Sequence, residues 1–288
     1  MMRIPIYNRF VALQTQLPKY LTLFKNKNIT PILDYCMEFD NNHQKTTSKI
    51  LNIMEKYPKN YYAIKLTSLG LNDFDVNSTT KNLNKICEFA YITQSKVLID
   101  AENVKYQDNI NTISNDFIKH YNKNVEIPLV FKTYQMYRKD SFQILKEDIT
   151  DYKNTDVKLG IKMVRGAYYH EDKDSGLLYN NIEDTHKNYD IGINYLFNNF
   201  ENIQDVIFAT HNQDSIRLLK LHSSIHKIPE YFIKYASLTG MNDKTSESMN
   251  SQGYFVMKYL PFGPFLKTMP YLSRRLYENY EIIRHLKN

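Results

Sequence analysis

At 288 residues with 42% hydrophobic content, the chain can bury a large core, and barrels of this length are routinely undivided, so one domain spanning 1–288 is expected. The formal net charge of +6 is dispersed, with no basic block, zinc-finger spacing or aromatic RNA-binding signature, which argues against nucleic acid as a partner. Cys36 and Cys87 stand far apart in no CxxC pattern, which argues against a disulfide framework or a thiolate metal site and suits a reducing compartment.

The start lacks the apolar stretch of a signal peptide, and no run approaches the roughly 18 apolar residues of a membrane span. Phe10 to Phe24 reads as one or two helices in an N-terminal helical segment, 1–29, ahead of a barrel over 30–288. A buried strand follows from Thr30 to Cys36, ending near the acidic Glu38, then a helix from Thr46 to Tyr57 stopped by Pro58. Strand and helix then alternate: strands at Tyr61–Leu66, Lys96–Asp100, Ile127–Tyr134, Val157–Val164, Asp205–Ala209 and Tyr231–Ala236. Between them run helices over Lys81–Phe89, Ile110–Tyr121, Asp140–Asp151, Asp184–Phe200 and Gln213–Leu221, and Thr245–Asn250 makes a short helix. The closing strand, Tyr254–Tyr259, is broken by Pro261 and Gly263 and hands over to a helix that carries Tyr271, Arg274, Arg275 and Glu278 on one face.

About eight strand–helix alternations in some 290 residues argue for parallel βαβ units and an α/β fold, a (β/α)8 TIM-type barrel with an extra N-terminal helix; a doubly wound sheet is the alternative. Only 8 glycines are present and no GxGxxG follows a strand, which favours the barrel. Polar residues also cluster at strand C-terminal ends, which converge on one mouth in a barrel: Asp34 and Glu38, Lys65, Asp100 and Glu102, Gln135, Lys162 and Arg165, His211 and Asn212, and Tyr259.

Lys65 interrupts an apolar strand, where a charge needs a partner; it reads equally as a snorkelling edge lysine or as a Schiff-base nucleophile. Asp100 and Glu102 lie on one side of an extended chain, and either could pair with Lys65. Lys162-Met-Val-Arg-Gly-Ala-Tyr168 sets two cations around a glycine that permits close backbone approach, which suits an anionic group such as a diphosphate or a reduced flavin. His211 beside Asn212 has no second His or Cys at metal spacing, so no metal is expected. Arg274 and Arg275, with a tyrosine one turn earlier, form a clamp for a carboxylate or, in the bland reading, pair with Glu278 in solvent.

Taken in order, Ile-Leu-Asp-Tyr-Cys-Met-Glu38, Ile-Lys-Leu-Thr67, Ile-Asp-Ala-Glu102, Thr-Tyr-Gln-Met-Tyr137, the Lys162–Tyr168 block, Ala-Thr-His-Asn212, Leu-Thr-Gly-Met241, Tyr-Leu-Pro-Phe-Gly-Pro264 and Tyr-Leu-Ser-Arg-Arg-Leu-Tyr-Glu-Asn279 resemble the proline dehydrogenase family, in its compact, monofunctional, FAD-dependent form. The resemblance runs from about Pro31 to Asn279 and implies a modified barrel that holds FAD at its mouth. It implies oxidation of L-proline to Δ1-pyrroline-5-carboxylate by hydride transfer to flavin N5, with electrons passed to a membrane quinone.

By motif, the resemblance implies that Arg274 and Arg275 bind the proline carboxylate with help from Lys65, and that Tyr259, Tyr271, Leu238 and Tyr168 close the pocket. Asp100 orients neighbouring groups, and Glu38 pairs with Arg274 as a gate. Gln135, Lys162, Arg165, Gly166, Ala167, Thr210, His211, Asn212 and Glu278 face the flavin or its phosphates. A bulky Tyr271 leaves no room for a 4-hydroxyl and favours unsubstituted proline over hydroxyproline. One departure is Ser237, where the family pattern leads us to expect a glutamine that contacts FAD. The implied location is the cytoplasm, with peripheral contact to the inner membrane (its matrix face in a eukaryote), and a separate pyrroline-5-carboxylate dehydrogenase is the implied downstream partner. The enzyme alternative is a flavin-free, lysine-dependent barrel aldolase working through Lys65; the non-enzyme alternative is an inert barrel that binds proline or a partner.

Overall fold

Period-two alternation of apolar residues builds the sheet seen in the computed structural model, which describes residues 10–36, 42–72, 76–203, 205–264 and 268, the side chain of residue 202 excepted. The strands are β1 Ala12–Leu13, β2 Thr30–Tyr35, β3 Tyr61–Ile64, β4 Lys96–Ile99, β5 Val130–Gln135, β6 Gly160–Val164, β7 Asp205–Ala209, β8 Lys234–Leu238 and β9 Phe255–Gly263. β2 to β9 pair in parallel in chain order, and β9 returns to pair with β2, closing an eight-stranded barrel. The doubly wound alternative is thereby set aside. The helices are α1 Leu17–Asn26, α2 His43–Lys56, α3 Val76–Ile92, α4 Val104–Tyr121, α5 Ser141–Tyr152, α6 Tyr169–Asp172, α7 Ile182–Asn198, α8 Gln213–Ile225 and α9 Asp243–Ser251.

Alternate residues divide between two layers. The inward set, Ile32, Tyr61, Ala63, Leu98, Phe131, Ile207, Ala236 and Met257, fills the barrel. The outward set, among them Tyr62, Val97, Val130, Ile161, Phe208 and Val256, joins helix residues such as Met54, Leu83, Ile193 and Leu219 in a larger core. Each such aliphatic side chain contributes about 1.5–3 kcal/mol on burial. At the N-terminal end of the strands, Lys234 is ion-paired with Asp205 and lies 5.7 Å from the Tyr61 ring centroid and 5.5 Å from that of Phe255. This floor belongs to stability, because barrel sites sit at the other end.

Several boundaries differ from the sequence reading. Phe10 to Phe24 is not helical throughout: Ala12–Leu13 is a strand paired with Phe262 and Gly263, and α1 begins only at Leu17, with Pro18 in its first turn. β5 starts at Val130, past Pro128 and the exposed Ile127, and β6 starts at Gly160 rather than Val157. β8 starts at Lys234, because the aromatic pair Tyr231 and Phe232 sits exposed in a 3-10 turn. β9 runs straight through Pro261 to Gly263. In a parallel ladder alternate residues bond to alternate sides. The Tyr259 carbonyl accepts from Thr239 on the β8 side, so Pro261 faces the same side just past the last β8 pair, Leu238 with Tyr259, where no donor is required.

Candidate active site

The period that sends Ile32, Ala63, Leu98 and Met257 inward also sends Asp34, Lys65, Asp100 and Tyr259 inward, two residues further on and at the C-terminal mouth. Lys162 joins them from β6, in register with Thr133 and with the inward Ile207. The result is a continuous charged chain. Lys65 Nζ donates to Asp34 Oδ2 at 2.8 Å and lies 3.9 Å from Asp100 Oδ2. Asp100 accepts from Lys162 through Oδ1 and from the Tyr259 hydroxyl through Oδ2 at 2.8 Å. Lys162 Nζ stands 5.2 Å from the Tyr259 ring centroid, and the Cys36 thiol donates to Asp34 Oδ2 at 3.2 Å.

Two cations and two anions in a closed interior are tolerable only because each is paired and hydrogen-bonded. Burial pulls the Lys65 ammonium down, yet Asp34, Cys36 and Asp100 outweigh it and hold its pKa well above the ordinary value. Burial likewise opposes the Asp100 carboxylate, but Lys162 and Lys65 prevail and keep it below the usual range. An ammonium paired with Asp34 in this way is a poor nucleophile, which counts against the Schiff-base reading. The partner of Lys65 was not evident in the sequence. The sequence marks Asp34 as a strand-end acid but points to Asp100 and Glu102 as partners for Lys65.

Glu102 feels the Lys65 charge but spends its hydrogen bonds on Thr67. With β4 ended at Ile99, its carboxylate accepts from the Thr67 N–H at 3.0 Å and from the Thr67 hydroxyl, bracing the turn that follows Lys65. Its backbone is fixed by Gln107, whose Oε1 accepts from the Glu102 N–H at 3.0 Å, and by Gln135, which donates to the carbonyl at 2.8 Å. Burial raises the Glu102 pKa from 4.5 to about 6, with the Thr67 hydrogen bonds opposing. A raised carboxyl favours the fold below its unfolded value and loses that contribution as pH climbs through about 6. The shift amounts to about 2 kcal/mol. Urea unfolding from pH 4 to 7 should show Glu102→Gln gaining on the wild type by roughly that amount as pH rises; parallel profiles would contradict it.

Gln135 also accepts from the Ala167 N–H at 3.1 Å, tying β5 to the loop after β6. In that loop Gly166 has φ +146°, and a Cβ there would lie 2.5 Å from the Tyr137 ring. The close approach that glycine permits on this side is to Tyr137, whose hydroxyl is anchored on Asp172 at 2.8 Å. Gly166→Ala combines left-handed strain with overpacking and should cost roughly 3 kcal/mol, readable as a lowered thermal midpoint. An unchanged midpoint would refute the packing argument.

Arg165 points between β6 and β7. It donates from Nε to His186 Nδ1 at 2.9 Å, from Nη1 to Thr210 Oγ1 at 2.6 Å and from Nη2 to Ser215 Oγ at 2.8 Å, with its guanidinium 4.3 Å from the Tyr189 ring centroid. Asn212 caps α8 by accepting from the Ser215 N–H at 3.0 Å, while the His211 side chain is exposed. Tyr168 is buried and close enough to Lys65 to influence its ammonium, and Leu238 lies on the inner face of β8 beside Cys36 and Met241.

Ser237 faces outward. It is buried beneath α9 and receives a hydrogen bond at 2.9 Å from Lys258, which also donates to the Met241 carbonyl at 2.5 Å and to Asp243 at 2.9 Å. The serine is thus part of a lysine-centred tie between β8, β9 and α9. Glu38, Tyr271, Arg274, Arg275 and Glu278 lie outside the described residues.

The donors that converge on the β5–β7 side of the mouth suit a ligand with both anionic and hydrogen-bonding parts. They comprise the cations of Lys162 and Arg165, the Gln135 amide and the capped N-terminus of α8. In addition, the Thr133 hydroxyl on β5 is buried with no hydrogen-bond partner among the described residues. A flavin dinucleotide fits this chemistry.

Compared with known proteins, the chain matches the proline dehydrogenase family over residues 23–288. It is 32% identical over 230 residues to mitochondrial proline dehydrogenase 1 of Dictyostelium discoideum, a match covering 74% of this chain and 39% of that protein. Over 264 residues it is 28% identical to hydroxyproline dehydrogenase of Xenopus laevis, covering 86% of this chain and 54% of that one. The structure of proline utilization A (PutA) from Bdellovibrio bacteriovorus, inactivated by N-propargylglycine, superposes with a TM-score of 0.86 on 94% of this chain and 32% of that chain, at 19% identity, a likeness of fold. The chain spans about two fifths of the length of the Dictyostelium relative and about half that of the Xenopus one.

Proposed function

This chain belongs to the proline dehydrogenase family, and we propose that it oxidises L-proline to Δ1-pyrroline-5-carboxylate with FAD as cofactor. The observation that carries the reading is the charge-balanced chain Asp34–Lys65–Asp100–Lys162 with Tyr259, at the mouth of a closed barrel. Arg274 and Arg275 would grip the substrate carboxylate, with the fixed Lys65 ammonium adding a third positive charge. Asp100 holds Lys65, Lys162 and the Tyr259 hydroxyl in one arrangement, so substrate meets a preorganised wall. Tyr168 and Leu238 would bound the ring together with Tyr259 and Tyr271.

Gln135, Lys162, Arg165, Gly166, Ala167, Thr210, His211, Asn212 and Glu278 would hold FAD. When bound, FAD supplies an acceptor at N5 for the hydride from the ring carbon next to nitrogen and passes the electrons on to a membrane quinone. Lys162 and Arg165 would favour the charge that builds on the reduced cofactor. Closure of Glu38 onto Arg274 would exclude water. We also infer that the 288 residues act as one domain, 1–29 as N-terminal segment and 30–288 as barrel; the burial of Leu17 and Phe24 in the same core as the strands supports this.

Among the described residues no helix is long and apolar enough to cross a membrane, so access to a quinone would come through peripheral contact from the cytoplasm, or from the matrix face in a eukaryote. The product would pass to a separate pyrroline-5-carboxylate dehydrogenase. A second reading, oxidation of 4-hydroxyproline, is favoured by the Xenopus relative and opposed by the bulk of Tyr271. Trapping the cyclic imine with o-aminobenzaldehyde tests both: colour from L-proline with FAD and a soluble quinone is expected, and colour from trans-4-hydroxy-L-proline alone would reverse the assignment.

A further inference from the structure

Arg165 and Lys162 leave the same strand end in different electrostatic states. Lys162 is neutralised directly by Asp100. Arg165 spends three of its N–H donors on neutral acceptors, His186 Nδ1, Thr210 Oγ1 and Ser215 Oγ, and makes no ion pair among the described residues; Asp190 reaches it through the Ser215 hydroxyl and by its charge at longer range. Its guanidinium face is turned to Tyr189. Of these contacts, the one from Nε fixes the twist of the planar group, because Nε carries a single N–H.

For His186 to accept at Nδ1, that nitrogen must be bare, so the ring is neutral with its proton on Nε2. The charged and titratable groups around it are Arg165 from the end of β6, Glu183 and Asp190 on its own helix α7, and Asp214 and His211 from the segment that opens α8. Burial first, then Arg165, pushes the imidazole below its ordinary value, with Asp190, Glu183 and Asp214 opposing.

We propose that His186 is the positioning residue for Arg165: accepting at Nδ1 as a neutral imidazole, it fixes the guanidinium at the end of β6 without spending its charge in a direct ion pair, so that the charge stays available to an anionic partner. The identity of that partner, the reduced flavin, rests on the functional reading above; the hydrogen bond does not. Protonation of His186 removes the acceptor and sets a second cation against the first. Substitution by asparagine keeps an acceptor, whereas leucine keeps bulk without one.

Two measurements test this. Long-range 15N–1H correlation of the purified protein at neutral pH should show His186 neutral with a bare Nδ1; a proton on Nδ1 would overturn the proposal. Sulfite adds to flavin N5 and reports positive charge nearby, so its dissociation constant is then compared by absorbance for FAD-loaded wild type, His186→Asn and His186→Leu. Loss of a charge-assisted hydrogen bond should weaken sulfite about tenfold in His186→Leu and by less than about threefold in His186→Asn. Equal affinity in all three folded proteins would overturn it. Should His186→Leu not fold, the ratio of wild-type to His186→Asn affinity decides: it should fall as pH drops through the lowered His186 value, and a flat ratio would count against the proposal. A protein that takes up no FAD sinks the functional reading instead, and the inference is then judged on the tautomer.

Discussion

Asp100→Ala is expected to cost roughly 3–5 kcal/mol of stability and to lower proline oxidation by about a thousandfold. Both effects come from one carboxylate that receives Lys162, lies 3.9 Å from Lys65 and accepts from Tyr259. Its removal leaves two buried ammonium groups repelling each other, with Asp34 still on Lys65 and Glu102 nearby, and it takes an acceptor from the Tyr259 hydroxyl. Asp100→Asn keeps the shape and one acceptor but loses the charge, so it should fall between alanine and wild type. Urea unfolding and quinone-coupled turnover on the same preparations check both arms. A stable, active Asp100→Ala protein would contradict the preorganised chain.

Asp148→Ala should produce the same stability loss, roughly 3–5 kcal/mol, without the catalytic one. Asp148 on α5 is paired with Lys132 at 2.6 Å on the outer face of β5, and it also accepts from Tyr134 at 2.7 Å and Asn115 at 3.1 Å. Lys132 is 2% exposed, and burial already pulls its ammonium below the ordinary value, with Asp148 opposing. Taking Asp148 away leaves that charge with the neutral Asn115 as acceptor. The thermal midpoint should fall by roughly 10 °C for a chain of this size, while turnover per folded molecule stays near wild type. The double change Lys132→Met, Asp148→Leu should recover most of the midpoint, since apolar replacement of a buried pair is often neutral. No recovery would mean that the pair contributes more than packing can replace.

Asp100 and Lys65 show how much of the site is legible in the sequence. Period-two alternation is visible in the sequence, so an acid two residues beyond Leu98 and a lysine two beyond Ala63 announce themselves as inward-facing and close to the mouth. Their partners do not, because partnership depends on register: Asp34 lies opposite Ala63, one inward-facing step before Lys65, and that pairing is not local. His186 was invisible for the same reason, being a helix residue whose meaning comes from a strand end 21 positions earlier. Glu102 looks like a second partner for Lys65 only if extended geometry is carried three residues past the end of β4. Strand ends misread at Tyr231 and Pro261 have a shared cause: hydrophobicity and proline mark local preference, whereas exposure and the bonding side of the ladder decide the outcome. The alternation of strands and helices survived all of these errors, since closure of the barrel requires only their order.

We propose that this mouth holds a flavin which proline reduces. The visible spectrum of the purified, FAD-supplemented protein, recorded without oxygen before and after L-proline and again with trans-4-hydroxy-L-proline, tests it in one experiment. Flavin bands that proline bleaches and hydroxyproline hardly alters are expected. Flavin that proline leaves oxidised, or a protein that takes up none, would contradict it.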